Sequence, residues 1–274
     1  MKYTIEKRRI TKDKIKILII KSKNKKSKDQ TPGVLWIHGG GYLYGFSEMV
    51  FFSRGIDLVK KHNAVVISVE YRKAPKYPYP TPLNDCYEAL KYLKEHHEEL
   101  GFNPNQIFVG GESAGGGLTC ALCILARDKK EVNIAYQMPI YPMIDCYDTK
   151  SNLNKKAKIW KVKHNKSAWK KYLGNLSTVP SYASPSRLED FDNLPPMYSF
   201  IGSNDLFYDE TISYQNKLKE VNITAKVDVY DNCYHAFDML FPFKKMSKLA
   251  IKKFNEEFVF ACNNYYKEQD NKKE

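Results

Sequence analysis

No stretch of the 274-residue chain is uniformly apolar over the roughly 18 residues that a membrane-crossing helix needs, so no span is expected. Residues 1–9 are charged and alternating and lack an apolar core, which argues against a secretory leader. Cysteine is sparse. Cys86, Cys120, Cys123, Cys146, Cys233 and Cys262 are scattered through predicted elements, a pattern of reduced thiols in a cytoplasmic protein rather than of a disulfide framework. Cys120-x-x-Cys123 has metal or redox spacing, but no second Cys/His pair lies nearby and the pair falls inside a predicted helix. It reads as packing, and neither a metal nor a cofactor is expected. Arginine is also scarce (Arg8, Arg9, Arg54, Arg72, Arg127, Arg187), although the formal net charge is +13. Reading phosphates and bases favours the planar guanidinium, so the basic balance indicates a solvated lysine surface and no nucleic-acid partner. Attraction for anionic substrates would be a side effect of that surface. Against these absences, 43% hydrophobic and 14% aromatic residues in a chain of this length predict one large globular domain over residues 1–274.

Residues 3–10 and 14–20 alternate apolar and polar and read as two antiparallel edge strands. Short apolar runs at 33–37 and 64–69 are continuous, as expected of strands covered on both faces, and further strands are read at 106–109, 134–140, 197–201 and 225–230. Helical patterns lie between or after them at 51–62, 83–100, 117–127, 210–221 and 244–266. Strands alternating with helices predict an α/β fold on a mostly parallel central sheet flanked by helices. The last strand is a candidate exposed edge and hence a place for a homodimer to pair. The interval 146–190 breaks the rhythm. It is lysine-rich, carries Trp160, Trp169 and Tyr172 at helical spacing, and reads as a small helical cap inserted over the carboxyl edge of the sheet.

The chemistry concentrates in Gly111-Glu112-Ser113-Ala114-Gly115, between the strand 106–109 and the following helix. A serine on so sharp a strand-to-helix turn needs neighbours nearly free of side chain, and glycine meets that need at little cost. Glu112, the variable residue of the turn, is expected to pack or pair locally. The serine requires a base held in one tautomer by a carboxylate. His62, His96, His97 and His164 lie in helical or lysine-rich stretches. His235 lies just beyond the strand 225–230 and is the candidate base. The carboxylate is expected at the carboxyl end of a strand between serine and histidine, where Asp205 follows 197–201; Asp209 precedes a helical run and reads as its N-cap. His38-Gly39-Gly40-Gly41 follows the strand 33–37 as a loop whose backbone amides can approach a carbonyl oxygen. Gly40, Gly41 and Ala114 are the candidate oxyanion donors, with His38 and Gly39 supporting the loop. Tyr42, Tyr44, Met138, Tyr141, Trp160 and Tyr208 are candidate substrate contacts, a role that aromatics near glycine loops share with ordinary core.

With these residues assembled, the chain resembles the hormone-sensitive-lipase-like family of α/β-hydrolases. The resemblance rests on His38-Gly39-Gly40-Gly41-Tyr42, on Gly111-Glu112-Ser113-Ala114-Gly115-Gly116, and on Gly202-x-x-Asp205-x-x-x-Asp209-Glu210. Two further stretches carry it: Glu70-Tyr71-Arg72-Lys73-Ala74-Pro75 through to Asp85, and Tyr182-Ala183-Ser184-Pro185 with Leu194-Pro195-Pro196. It implies the α/β-hydrolase fold and cofactor-free hydrolysis of short-chain, acetyl-like esters by Ser113, His235 and Asp205 through an acyl-enzyme. The small-molecule ester is the implied partner. Many family members carry N-terminal cap helices, whereas here the sequence starts strand-like, which leaves 146–190 as the expected cap. Lys76 and Ala236 stand where an acidic residue and a glycine are common. An amidase, formamidase or acyl-peptide hydrolase on the same three residues is the alternative. A non-catalytic receptor, as in the plant hormone receptors of this fold that lack the histidine, is the remote one.

Overall fold

Eight strands pair into one sheet in the computed structural model, which describes residues 2–24, 27–154 and 157–269. They are β1 (Tyr3–Ile10), β2 (Ile15–Ser22), β3 (Pro32–Ile37), β4 (Val65–Glu70), β5 (Asn103–Glu112), β6 (Tyr136–Ile140), β7 (Met197–Gly202) and β8 (Ala225–Tyr230). Their spatial order is β1-β2-β4-β3-β5-β6-β7-β8. β1 and β2 run antiparallel to their neighbours, and β3 to β8 are mutually parallel. The patterning follows burial. β1 sits at the edge with most positions exposed, whereas Pro-Gly-Val-Leu-Trp-Ile of β3 is buried throughout because helices cover both faces. β8 is the opposite edge, as expected, with Val229 exposed.

The helices are α1 (Arg54–His62), α2 (Thr81–Glu95), α3 (His97–Leu100), α4 (Ala114–Lys129), α5 (Val162–Leu173), α6 (Tyr208–Glu220), α7 (Phe237–Leu240) and α8 (Lys245–Asn264). α2, α4 and α6 pack on one face of the sheet, and α1 and α8 on the other. Among the described residues no helix is long and apolar enough to cross a membrane.

Three expectations change in detail. The helix expected at 83–100 is two, because His96 leaves helical geometry (φ −102°, ψ 17°) between α2 and α3. The run 51–62 opens as a 3₁₀ turn at Ser47–Phe52, and α1 starts only after Ser53, whose hydroxyl accepts the Gly55 N–H at 3.2 Å. Among its described residues the interval 146–190 contains a single α-helix, α5, plus a 3₁₀ turn at Pro185–Arg187. Its remaining described residues are turns held by side chains, such as Asn152 Oδ1 accepting the Thr149 N–H and Ser184 Oγ accepting the Cys146 N–H.

Candidate active site

The parallel strands all end on one rim, and four of the connecting turns meet there. β5 leads directly into Ser113, which holds φ 56°, ψ −120°, and α4 starts at the next residue. The turn is so tight that a methyl group at Gly115 would stand 2.1 Å from the Ile37 carbonyl oxygen, and one at Gly111 would stand 2.4 Å from the same atom. Both contacts are with backbone that cannot yield, which is why the motif requires glycine. The elbow is braced on both sides. Ser113 N–H donates to Ile140 O at 3.0 Å, and Ser113 O accepts from Met143 N–H at 3.0 Å and Gly117 N–H at 2.9 Å. The helix therefore begins three residues earlier than the sequence pattern shows, because Ala114, Gly115 and Gly116 read as part of the turn although they are helical.

The turn after β7 carries Asp205, and the loop after β8 carries His235. Gly202 lets these two loops close on each other, since a methyl group there would sit 2.2 Å from Cys233 O. Asn204 N–H then donates to that same carbonyl at 3.0 Å. Asp205, 2% exposed, accepts the Phe207 N–H on Oδ1 at 3.1 Å and the His235 Nδ1–H on Oδ2 at 2.8 Å. His235 Nε2 lies 2.9 Å from Ser113 Oγ. Because the carboxylate fixes the proton on Nδ1, Nε2 is left as the acceptor facing the hydroxyl. Ser113 and His235 keep 9% and 7% exposure, a narrow opening to solvent over a buried acid. Ala236 follows at φ 56°, a left-handed conformation that accounts for glycine being common at this place in the family it resembles. Asp209 does not cap α6. Phe207 is the N-cap, and Asp209 sits in the first turn with Oδ2 accepting the Ser151 N–H at 2.6 Å.

The loop after β3 lies against the elbow. A methyl group on Gly39 would be 3.3 Å from Ser113 Cβ, and Gly40 and Gly41 take positive φ of 120° and 61°. Among the described residues the amides of Gly40, Gly41 and Ala114 have no protein acceptor, so they are available to a ligand oxygen. His38 holds the loop from inside. Its Nδ1–H donates to Gly39 O at 2.7 Å, its ring stacks on Tyr71 at 4.2 Å, and burial pushes its pKa down to about 4, so it is neutral at physiological pH.

The candidate substrate contacts divide. Trp160 lies over Gly41, where an added methyl group would come 2.4 Å from the indole ring. Tyr44 is exposed next to the same loop, and Tyr208 is half-buried at the start of α6, beside the Asp205 turn. Tyr42 and Met138 are framework instead. Tyr42 is buried, donates its hydroxyl to Met143 O at 2.6 Å and stacks on Tyr172 of α5 at 3.9 Å. Met138 is buried in mid-strand opposite Gly110 and near Trp36, on the face that α8 covers. Tyr141 is buried beneath the histidine, its ring edge-on to the imidazole at 5.0 Å.

The profile of the family described as "alpha/beta hydrolase fold" matches residues 34–239, from β3 through α7. The chain belongs to that family. Among similar proteins are esterase LipI of Mycobacterium tuberculosis, 29% identical over 76% of this chain and 66% of its own length, and carboxylesterase NlhH of the same species, 29% identical over 77% and 67%. This chain thus spans about two thirds of the length of these curated relatives. A solved bacterial heroin esterase superposes with a TM-score of 0.88 at 30% identity, covering 95% of this chain and 85% of its own. The resemblance to hormone-sensitive-lipase-like hydrolases is thereby borne out.

In this α/β-hydrolase Phe207, Asp238 and Arg54 escape motif reading, and they gather around Tyr141 and His235. Phe207 and Tyr141 pack edge-on against His235 from two directions, each at 5.0 Å. Tyr141 donates its hydroxyl to Asp238 Oδ1 at 2.9 Å, and Asp238 Oδ2 lies 3.1 Å from Arg54 Nε. Asp238 and Arg54 sit in different parts of the sequence with no motif around them, so only the fold reveals the pairing. Of these, Phe207 alone carried a local signal, standing two residues after Asp205.

Glu112 is buried directly behind the serine, where it accepts the Trp36 Nε1–H at 2.9 Å. Burial pushes its carboxyl up to about 7, against the hydrogen bonds from Ser53 and Trp36; the Asp238 charge pushes the same way and Arg54 opposes it. The folded chain therefore binds this proton more tightly than the unfolded chain, and stability falls as pH rises through the interval up to about 7. Glu112→Gln removes the ionisation and keeps an acceptor for Trp36. The unfolding free energy of the variant relative to the parent should rise by roughly 3 kcal/mol between about pH 5 and about pH 8. Urea titrations across that range read the difference, and a pH-independent offset would contradict the assignment.

Proposed function

We propose that the protein is a serine carboxylesterase acting on short-chain, acetyl-like esters through Ser113, His235 and Asp205. The observation that carries this reading is the continuous hydrogen-bonded line from Ser113 Oγ through both ring nitrogens of His235 to a buried Asp205, at 2.9 Å and 2.8 Å. Ser113 Oγ attacks the ester carbonyl while His235 Nε2 takes its proton, and Asp205 stabilises the imidazolium. The tetrahedral oxyanion is met by the amides of Gly40, Gly41 and Ala114, for which each lost donor typically costs about 3 kcal/mol of barrier. His235 then returns the proton to the departing alkoxide. A water, deprotonated by the same nitrogen, cleaves the acyl-enzyme and regenerates the serine. Trp160 over Gly41 narrows the space beyond the oxyanion position and supports a small acyl group. The segment 157–173, with α5 packed on Tyr42, is the part of 146–190 that acts as a cap. The amidase reading uses the same residues and differs in the leaving group alone.

A cytoplasmic setting is proposed with this activity, supported by six free cysteines, three of them buried. The test is covalent trapping. Treatment with diethyl p-nitrophenyl phosphate should abolish hydrolysis of p-nitrophenyl acetate and leave one diethylphosphoryl group on the peptide containing Ser113, read by mass spectrometry. Inactivation with the label on another residue, or full activity after complete labelling of Ser113, would remove the serine from the mechanism.

A further inference from the structure

The segment that crosses the site has an unusual charge balance. Residues 157–171 carry Lys158, Lys161, Lys163, Lys166, Lys170 and Lys171 and not one Asp or Glu. All six of these side chains are exposed. Elsewhere lysines commonly meet carboxylates, as in Lys16–Glu48, Lys91–Glu88, Lys226–Glu257 and Lys253–Glu256. Here Lys166 alone among the six is matched, by Asp148 at 3.1 Å; among the described residues the others pair with none. Asp209, in the first turn of α6, is engaged by the Ser151 N–H. The first turn of α5 holds no acid either, so its positive dipole end adds to the same field.

Placement gives this charge a direction. Trp160 lies over Gly41, in the loop after β3, while Lys158 Nζ stands 5.1 Å from the ring centre of Tyr234, the residue before His235. The short span from 158 to 160 thus reaches from the residue beside His235 to Gly41 of the glycine loop. His235 delivers the proton to the departing alkoxide, so the leaving alcohol occupies the histidine side, where Lys158 is.

We propose, on the basis of the esterase reading above, that the site prefers esters whose leaving alcohol bears an anionic group and that Lys158 meets that charge. Lysine acts as a point charge on a flexible stem, so it attracts a carboxylate without demanding one geometry. The surrounding lysines raise the local concentration of such substrates.

The test compares 4-acetoxybenzoate with its neutral counterpart 4-acetoxybenzamide, each kcat/KM divided by the rate of hydroxide-catalysed hydrolysis. At about 10 mM ionic strength the anionic ester should be favoured about tenfold, mainly through KM, and the preference should approach unity at about 1 M as the screening length shrinks to ~3 Å. Monophenyl succinate, with its charge on the acyl side, should gain less over phenyl acetate. Lys158→Gln should cut the anionic preference by about three- to fivefold. Lys253→Gln makes the same change of charge on α8 and should leave the preference as it was. Turnover of the amide with no preference for the carboxylate, or a preference untouched by Lys158→Gln, overturns this proposal alone. A protein inert to both probes overturns the esterase reading and this one with it.

Discussion

Ser113→Ala should lower kcat/KM for phenyl acetate by about 10⁵-fold while the protein stays folded. The loss is large because in the proposed mechanism this hydroxyl bonds covalently to the acyl carbon, so removing it would abolish the two-step route and not one contact among several. What should remain is the proposed binding of the oxyanion by Gly40, Gly41 and Ala114, which would still favour attack by water by about 10³-fold. Stability should barely change. The elbow is held by backbone hydrogen bonds through Ser113 N and O, which alanine keeps, and alanine meets the same φ of 56°. Matched thermal melts and circular dichroism, set beside the rates, separate a chemical loss from an unfolded protein. A variant that retained within tenfold of the parent rate would mean that Ser113 is not the nucleophile.

Asp205→Asn is expected to cost about 10⁴-fold in kcat, with little effect on KM. Asp205 is buried and both its oxygens are committed, one to the Phe207 amide and one to His235 Nδ1. Asparagine preserves the shape, and its carbonyl can still receive the Phe207 N–H. Its NH₂ group then faces Nδ1 as a donor, which drives the ring proton to Nε2, pointing it at Ser113 where an acceptor is needed. The variant should bind substrate with nearly the parent KM, since no contact to the ester has changed. Stopped assays over a range of ester concentrations make the split visible. A drop confined to KM would place Asp205 in substrate binding instead. His235→Ala, which removes the proposed base, should give the upper bound against which the tautomer effect is scaled.

Much of the arrangement is legible in the sequence. The sequence pattern places the six parallel strands within a few residues of where they lie; the inner ones read as apolar runs because strands covered on both faces have no polar side to show, whereas the edge strand β8 alternates. The elbow was legible for a steric reason, as the Ile37 carbonyl passes too close to positions 111 and 115 for any side chain. Ser113, Asp205 and His235 were each named from their place after a strand, and they stand within hydrogen-bonding distance of one another. Boundaries were less legible where local signals conflict. Glycines at 115 and 116 announce a turn although α4 includes them, and α2 stops at His96 in a stretch whose apolar spacing runs on.

What the chain order alone determined is the set of elements and the order in which reactive side chains emerge from them, since both depend on neighbours within a turn or a strand. Which residues surround those side chains was decided by the tertiary structure. Tyr42 follows the glycine loop in sequence yet turns inward to stack on Tyr172, 130 positions away by their numbers. Arg54 and Asp238 meet under Tyr141, and Lys158 reaches Tyr234, through contacts that exist only once the sheet has brought its connecting loops to one rim. Periodicity and motif report the local environment of a residue, whereas packing, burial and the field at the site are sums over distant partners.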